Sequence, residues 1–281
     1  MPLEIKRSTE TISARSNPLV VRIGKLEEKK HRDAESLFRF DGIKLLCEAL
    51  KFGAEIEYIL VREDKYSHIM AAIDDFLGEK TVVCKGTLVV LGSSAFEKLS
   101  KEKSPEGVIT VAKYIDNFHK KGKIEKDSVL LCCSKALMLE SIRDPGNLGT
   151  ILRSAAAFGV EYVIMSDDCA DIYNPKTVRA AMGAIFKVKT LSADSFVCTI
   201  GEVRACGRRV FATALDKDAL RLGDFEISAD DVFLIGNEGH GLSKEAITAC
   251  DRSVYIPMRE GTESLNAAIA ASLCMWELYQ K

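Results

Sequence analysis

The chain has 281 residues, 47% of them hydrophobic, and a formal net charge of −2. This length has room for about two domains, the apolar fraction excludes a disordered chain, and the charge balance excludes binding driven by bulk positive charge. Nine cysteines without Cys-x-x-Cys spacing argue against a disulfide frame or a zinc site, and no apolar run reaches membrane length or follows Met1 as a signal peptide, so the chain reads as soluble and cytoplasmic.

The first 32 residues carry eight basic side chains (Lys6, Arg7, Arg15, Arg22, Lys25, Lys29, Lys30, Arg32) against four acidic ones (Glu4, Glu10, Glu27, Glu28), a local net of +4. Such an arm can collect phosphates, but charge alone favours the plainer reading, a solvated amphipathic helix. Residues 17–34 have helical periodicity and 37–40 suit a short strand. A helix is predicted over 43–52, with Leu45, Leu46, Ala49 and Leu50 on its buried side and Gly53 ending it. A strand at 56–61, a helix at 69–76, a short strand at 81–84 and a strand at 107–114 follow, with 88–91 ambiguous. This alternation predicts a small α/β domain over 1–115.

Residues 116–128 are polar and lysine-rich, and read as a linker. A second domain over 129–281 opens on an apolar strand at 129–133, with more apolar sequence at 137–139. The order then runs helix 148–158, strand 160–165, helix 174–182, strand 185–189, helix 194–205, strands 209–214 and 231–235, helix 243–250, strand 253–256 and helix 265–279. That pattern predicts a parallel-sheet α/β domain.

Three loops after apolar strands of this domain carry candidate chemistry. In the first, Pro145-Gly146 reads as a turn, Asn147 as a helix N-cap, and Arg153 as the only charge on a helix of small and apolar residues. An arginine there is expected to point into a cleft, where its donor fork can hold a phosphate. The second, Gly236-Asn-Glu-Gly-His-Gly-Leu-Ser243, is a glycine-rich turn carrying Glu238. Its glycine order is not Gly-x-Gly-x-x-Gly, and Ile256 stands where a dinucleotide site needs an acid, which argues against a nicotinamide oxidoreductase. The third runs from Ile256 to Asn266, with Ser264 as the expected N-cap and Asn266 in the first turn. In a parallel sheet such loops gather on one edge, so Asn147, Arg153, Glu238, Ser264 and Asn266 are expected to share a site.

The three segments Asn147-Leu-Gly-x-x-x-Arg153, Gly236-Asn-Glu-Gly-x-Gly-Leu-Ser243, and Ile256-Pro-Met followed by Glu263-Ser-Leu-Asn266 resemble, in order, the signature motifs of the SpoU (TrmH) family of RNA ribose 2′-O-methyltransferases in the SPOUT superfamily. Asn17-Pro-Leu and Leu37-Phe-Arg-Phe-Asp-Gly-Ile-Lys-Leu-Leu look like the substrate-binding domain often attached to such enzymes. The resemblance implies a deep C-terminal trefoil knot, an exception to the rule against knotted chains, with Ala267, Ala268, Ala270 and Ala271 permitting its tight packing. It also implies a homodimer, S-adenosyl-L-methionine as cofactor, and ribosomal RNA as substrate.

On this resemblance Arg153 is the catalytic arginine, with Asn147 beside it and Glu238, Ser264 and Asn266 on the substrate side. Backbone at Gly236, Ile256 and Leu265 holds the cofactor, with Thr213, Asn237 and Met258 near it. Arg153 either acts as base or clamps the adjacent phosphate, its high pKa making the first role awkward. Two departures stand out: Thr150 replaces the usual alanine, and Gly261 sits one position late. A transfer-RNA methyltransferase of the same family and a catalytically silent RNA-binding relative are the alternatives.

Overall fold

The computed structural model describes residues 3–115, 119–122, 134–237, 239–259, 261 and 264–281. They divide into two compact units, one formed by 1–115 with 173–179, the other by 116–172 with 180–281.

The first unit contains strands β1 (Leu3–Arg7), β2 (Leu37–Asp41), β3 (Ile56–Arg62), β4 (Val82–Leu91) and β5 (Val108–Lys113), and helices α1 (Pro18–Lys25), α2 (Lys29–Glu35), α3 (Ile43–Lys51), α4 (Tyr66–Leu77) and α5 (Ser93–Leu99). The strands form one mixed sheet in the order β1-β4-β3-β5-β2. Helix α1 starts where Asn17 accepts a hydrogen bond from the Leu19 N–H at 2.9 Å, with Pro18 in the first turn. Val20, Ile23 and Leu26 then pack with Phe96 and Leu99 of α5 and with Leu60 of β3. The short strand expected at 81–84 and the ambiguous stretch at 88–91 are one strand. Gly86 in the middle hides its periodicity. A Cβ there would lie 2.5 Å from the Ile56 carbonyl oxygen, so only glycine lets β4 run unbroken beside β3. The sequence reading missed β1 and α5.

The second unit contains β6 (His119–Gly122), β7 (Ala136–Leu139), α6 (Pro145–Ala157), β8 (Tyr162–Ser166), β9 (Lys189–Ala193), α8 (Phe196–Ala205), β10 (Val210–Thr213), β11 (Leu220–Arg221), β12 (Val232–Ile235), α9 (Lys244–Ala249), β13 (Arg252–Tyr255) and α10 (Ala267–Tyr279); α7 is Pro175–Ala181. Its strands form an eight-stranded sheet in the order β11-β13-β10-β12-β7-β8-β9-β6. Every described pairing in it is parallel, as the strand–helix alternation predicted. The strand expected at 129–133 lies outside the described residues.

Three expectations need correction here. Part of the polar stretch read as a linker is the edge strand β6, paired with β9 from His119↔Thr190 to Gly122↔Ala193. The strand expected at 185–189 begins only at Lys189. Before it, the Lys187 and Val188 N–H groups both donate to the Ala184 carbonyl, closing a tight turn over 184–186. The starts of α6 and α10 also shift. Asp144, not Asn147, caps α6, accepting from the Asn147 N–H at 2.9 Å, and Pro145 is its first residue instead of part of a turn. Asn266, not Ser264, caps α10, its side-chain oxygen accepting from the Ala268 N–H at 2.9 Å and the Ile269 N–H at 3.3 Å.

Candidate functional site

Because β10, β12 and β13 run parallel, their carboxyl ends open on the same edge, and a cavity of about 380 Å³ lies there. Thr213 ends β10, Ile235 ends β12 and Tyr255 ends β13, and all three line it. Its walls are mostly apolar, among them Leu242, Val254, Ile256 and Leu265. The size and character suit a small organic ligand held by a few polar groups.

The glycine-rich turn is one wall. The Asn237 and Gly241 backbones bond to each other in both directions, at 3.2 and 2.9 Å. The Asn237 side-chain oxygen accepts from the Gly239 N–H at 2.7 Å and the His240 N–H at 3.3 Å. Its amide nitrogen donates to the Ser141 carbonyl at 2.8 Å. The amide of Asn237 is thus engaged in shaping the turn. A Cβ on Gly236 would lie 2.6 Å from the Gly241 carbonyl carbon and 2.7 Å from the Leu242 nitrogen, so the close backbone approach demands glycine. Thr213 donates its hydroxyl to the Leu234 carbonyl at 2.8 Å, tying β10 to β12 at the cavity floor.

The structure brings together Thr213, Gly236, Asn237, Ile256, Met258, Ser264 and Leu265, all of which line this cavity. Asn147 and Asn266 meet each other: the Asn266 amide nitrogen donates to the Asn147 side-chain oxygen at 2.9 Å, joining the starts of α6 and α10. Arg153 departs from expectation. It is exposed on α6 and is not among the residues lining the cavity. Ala155, two residues on and so on the opposite face of the helix, is buried, while Arg153 is exposed. Glu238 lies outside the described residues. Leu215 and His240 are among the lining residues that the sequence reading did not assign to the site. Leu215 is 78% exposed, and its signal was an apolar residue at the head of the otherwise charged run Leu-Asp-Lys-Asp just past a strand end. His240 looked like an ordinary loop histidine.

Residues 134–276 match the model of the SpoU rRNA Methylase family. The chain belongs to the SpoU rRNA methylase family. Residues 17–110 match a second model, the MRM3-like substrate binding domain. Among SpoU relatives, the chain is 29% identical over 254 residues to the 23S rRNA (guanosine(2553)-2′-O)-methyltransferase RlmP of Bacillus subtilis, covering 90% of this chain and 93% of that one. It is 27% identical over 315 residues to the mitochondrial rRNA methyltransferase 3 of Xenopus tropicalis, covering 92% of this chain and 72% of the relative. Its fold is similar to that of the AdoMet-bound rRNA methyltransferase from Sinorhizobium meliloti, at a TM-score of 0.79 and 26% identity, over all of this chain and 98% of the other.

Proposed function

We propose that the protein is an S-adenosylmethionine-dependent methyltransferase that modifies a ribose 2′-hydroxyl of ribosomal RNA. The observation that carries this reading is the cavity at the ends of β10, β12 and β13, lined by all six residues assigned to the cofactor from the SpoU motifs. The fit is chemical as well as positional. An apolar floor suits an adenosine, and backbone groups at Gly236, Ile256 and Leu265 can recognise its polar edge without charged side chains. Gly236 keeps the turn close enough to form that wall. When bound, the cofactor supplies an electrophilic methyl group with a good leaving group, so the protein's work is placement and proton removal.

In this reading the linked Asn147 and Asn266 hold the ribose side, and Ser264 and Glu238 share that role. Arg153 clamps the neighbouring phosphate and stabilises the developing alkoxide, or receives its proton. The first unit grips the RNA, the match to a substrate-binding domain model being its support. The C-terminal segment from β13 through α10 forms the knot, and the buried Ala267, Ala268 and Ala271 allow its tight passage. The enzyme works in the cytoplasm, with free cysteines at all seven described positions fitting a reducing compartment. Among the described residues no helix is long and apolar enough to cross a membrane.

We also propose a homodimer. Ile269, Leu273, Trp276 and Tyr279 are all large, apolar and exposed, and recur along one side of α10. Phe158 adds a ring 5.8 Å from that of Trp276. Since Arg153 lies outside its own chain's cavity lining, the arginine meeting the cofactor is then supplied by the partner. The test of the enzyme reading is twofold. Calorimetry should register binding of S-adenosylhomocysteine. Ribose-methylation mapping of cells with and without the gene should lose one ribosomal site. Loss of a transfer-RNA site instead would select the alternative substrate, and no loss would end the enzyme reading.

A further inference from the structure

The glycine-rich turn walls the cavity, but its internal hydrogen bonds shape it without anchoring it. The anchors come from the two residues after β7. Glu140 accepts from the Ser243 N–H at 2.8 Å and the Ser243 hydroxyl at 2.6 Å. The Ser141 carbonyl accepts from the Asn237 amide at 2.8 Å. Residues 140 and 141 therefore hold both ends of the turn. Ser141 does so from a left-handed backbone conformation, φ 56°, which a residue with a Cβ rarely adopts unless its surroundings impose it.

The surroundings that impose it converge on Asp168, just past the end of β8. One carboxylate oxygen accepts from the Ser141 hydroxyl at 2.7 Å and from an Arg143 guanidinium nitrogen at 2.8 Å. The other accepts from the Ser166 hydroxyl at 2.6 Å, and that hydroxyl oxygen accepts from the Ser141 N–H at 2.8 Å. Ser141 is thus gripped through both its backbone N–H and its side chain. Partial burial alone would raise the Asp168 pKa, but hydrogen bonds from Ser166, Arg143 and Ser141 and the Arg143 charge outweigh it and hold it down to about 2. At neutral pH the group is an anion that only accepts. Asp168 itself is not among the residues lining the cavity.

We infer that Asp168 is a positioning residue for the methyl donor, fixing Ser141 in its left-handed conformation so that Asn237 and the glycine-rich turn stand at the distance the donor requires. The inference rests on the cavity being the S-adenosylmethionine site. A purely structural carboxylate would affect melting and leave ligand affinity alone.

Calorimetry with S-adenosylhomocysteine on the full chain, run beside thermal melting, separates the two. Asp168→Asn, which keeps the shape and removes the anion, is expected to weaken binding about tenfold, 1.4 kcal/mol. Adding Ser141→Gly to that variant should restore affinity, because glycine adopts φ 56° without a clamp. Ser141→Ala, which removes only the hydroxyl, should weaken binding by a smaller factor, and it carries the test if Asp168→Asn does not fold. Affinity unchanged in Asp168→Asn, or a loss that Ser141→Gly does not recover, would overturn the inference. If the wild-type chain itself fails to bind S-adenosylhomocysteine, the reading of the cavity falls, and this inference with it.

Discussion

In the proposed reading, Gly236 and Arg153 both matter to methyl transfer, for different reasons. Gly236 is a matter of space. Gly236→Ala places a methyl group within 2.7 Å of backbone at 241 and 242, which no side-chain rotation relieves. The turn must move, so S-adenosylhomocysteine affinity should fall by more than about tenfold, roughly 1.4 kcal/mol or more, as calorimetry would measure. Arg153 is a matter of chemistry. A planar guanidinium can hold a phosphate oxygen and an alkoxide together, and a lysine ammonium cannot reproduce that fork. Arg153→Lys is therefore expected to lose at least about tenfold in methyl-transfer rate, roughly 1.4 kcal/mol of barrier, with cofactor affinity retained. A near-normal single-turnover rate for the lysine variant would remove both roles offered for this residue. The motif spacing named Arg153 and Gly236 alike, but only Gly236 has a local reason readable from neighbours in sequence. That Arg153 is exposed and absent from its own cavity's lining depends on which side of α6 is packed, and the small residues there are compatible with either side.

At the scale of elements, the starts of α6 and α10 hold residues of the proposed site, and sequence places their caps a few residues off. Ser264 and Asn266 are both good capping residues, and sequence cannot choose between them. The choice follows from where the chain turns helical, and Asn266 is the residue whose oxygen reaches Ala268 and Ile269. Asn266→Ala should cost about 1 kcal/mol of stability from the cap alone, whereas Ser264→Ala should stay within about 0.5 kcal/mol, as denaturant titration would resolve. Strand β6 carries a separate prediction. His119 is buried, bonded at 2.7 Å to the Thr190 hydroxyl and at 3.1 Å to the Ile185 carbonyl. The carbonyl can only accept, so that ring nitrogen bears the proton and the other accepts from Thr190. Burial pushes its pKa down to about 4 from the ordinary 6.5. Between those values the unfolded chain binds a proton that the folded chain refuses. Stability is therefore full above pH 6.5 and declines as pH falls toward 4. His119→Gln should flatten that part of the stability-against-pH curve. The lysine-rich composition around His119 made this strand look like a linker, because an edge strand needs only one side buried.

At the scale of the molecule, the alternation of apolar strands and helices was enough to predict a parallel sheet with its loops on one edge, since parallel strands need crossovers. The strand order was not legible, and that order is what brings the ends of β10, β12 and β13 to one cavity. The exposed side of α10 was equally hidden: the helix is apolar nearly all round, so periodicity did not separate its buried residues from Ile269, Leu273, Trp276 and Tyr279. That surface is where the last prediction lies. An apolar stripe of this kind in water favours a second copy covering it. Trp276→Glu should convert a dimer to a monomer in light scattering, because a buried carboxylate without a partner is costly.

The origin of the arginine can be tested in the proposed dimer. Arg153→Ala chains keep a sound cavity, and Gly236→Ala chains keep a sound arginine. Each homodimer should be strongly impaired when S-adenosylmethionine is below saturation. If the arginine crosses the interface, mixed dimers contain one site with an intact cavity and an intact partner arginine, so co-refolding the two variants should restore methyl transfer. If mixed dimers form and stay impaired, Arg153 serves the cavity of its own chain, and its exposed position on α6 must change when RNA binds.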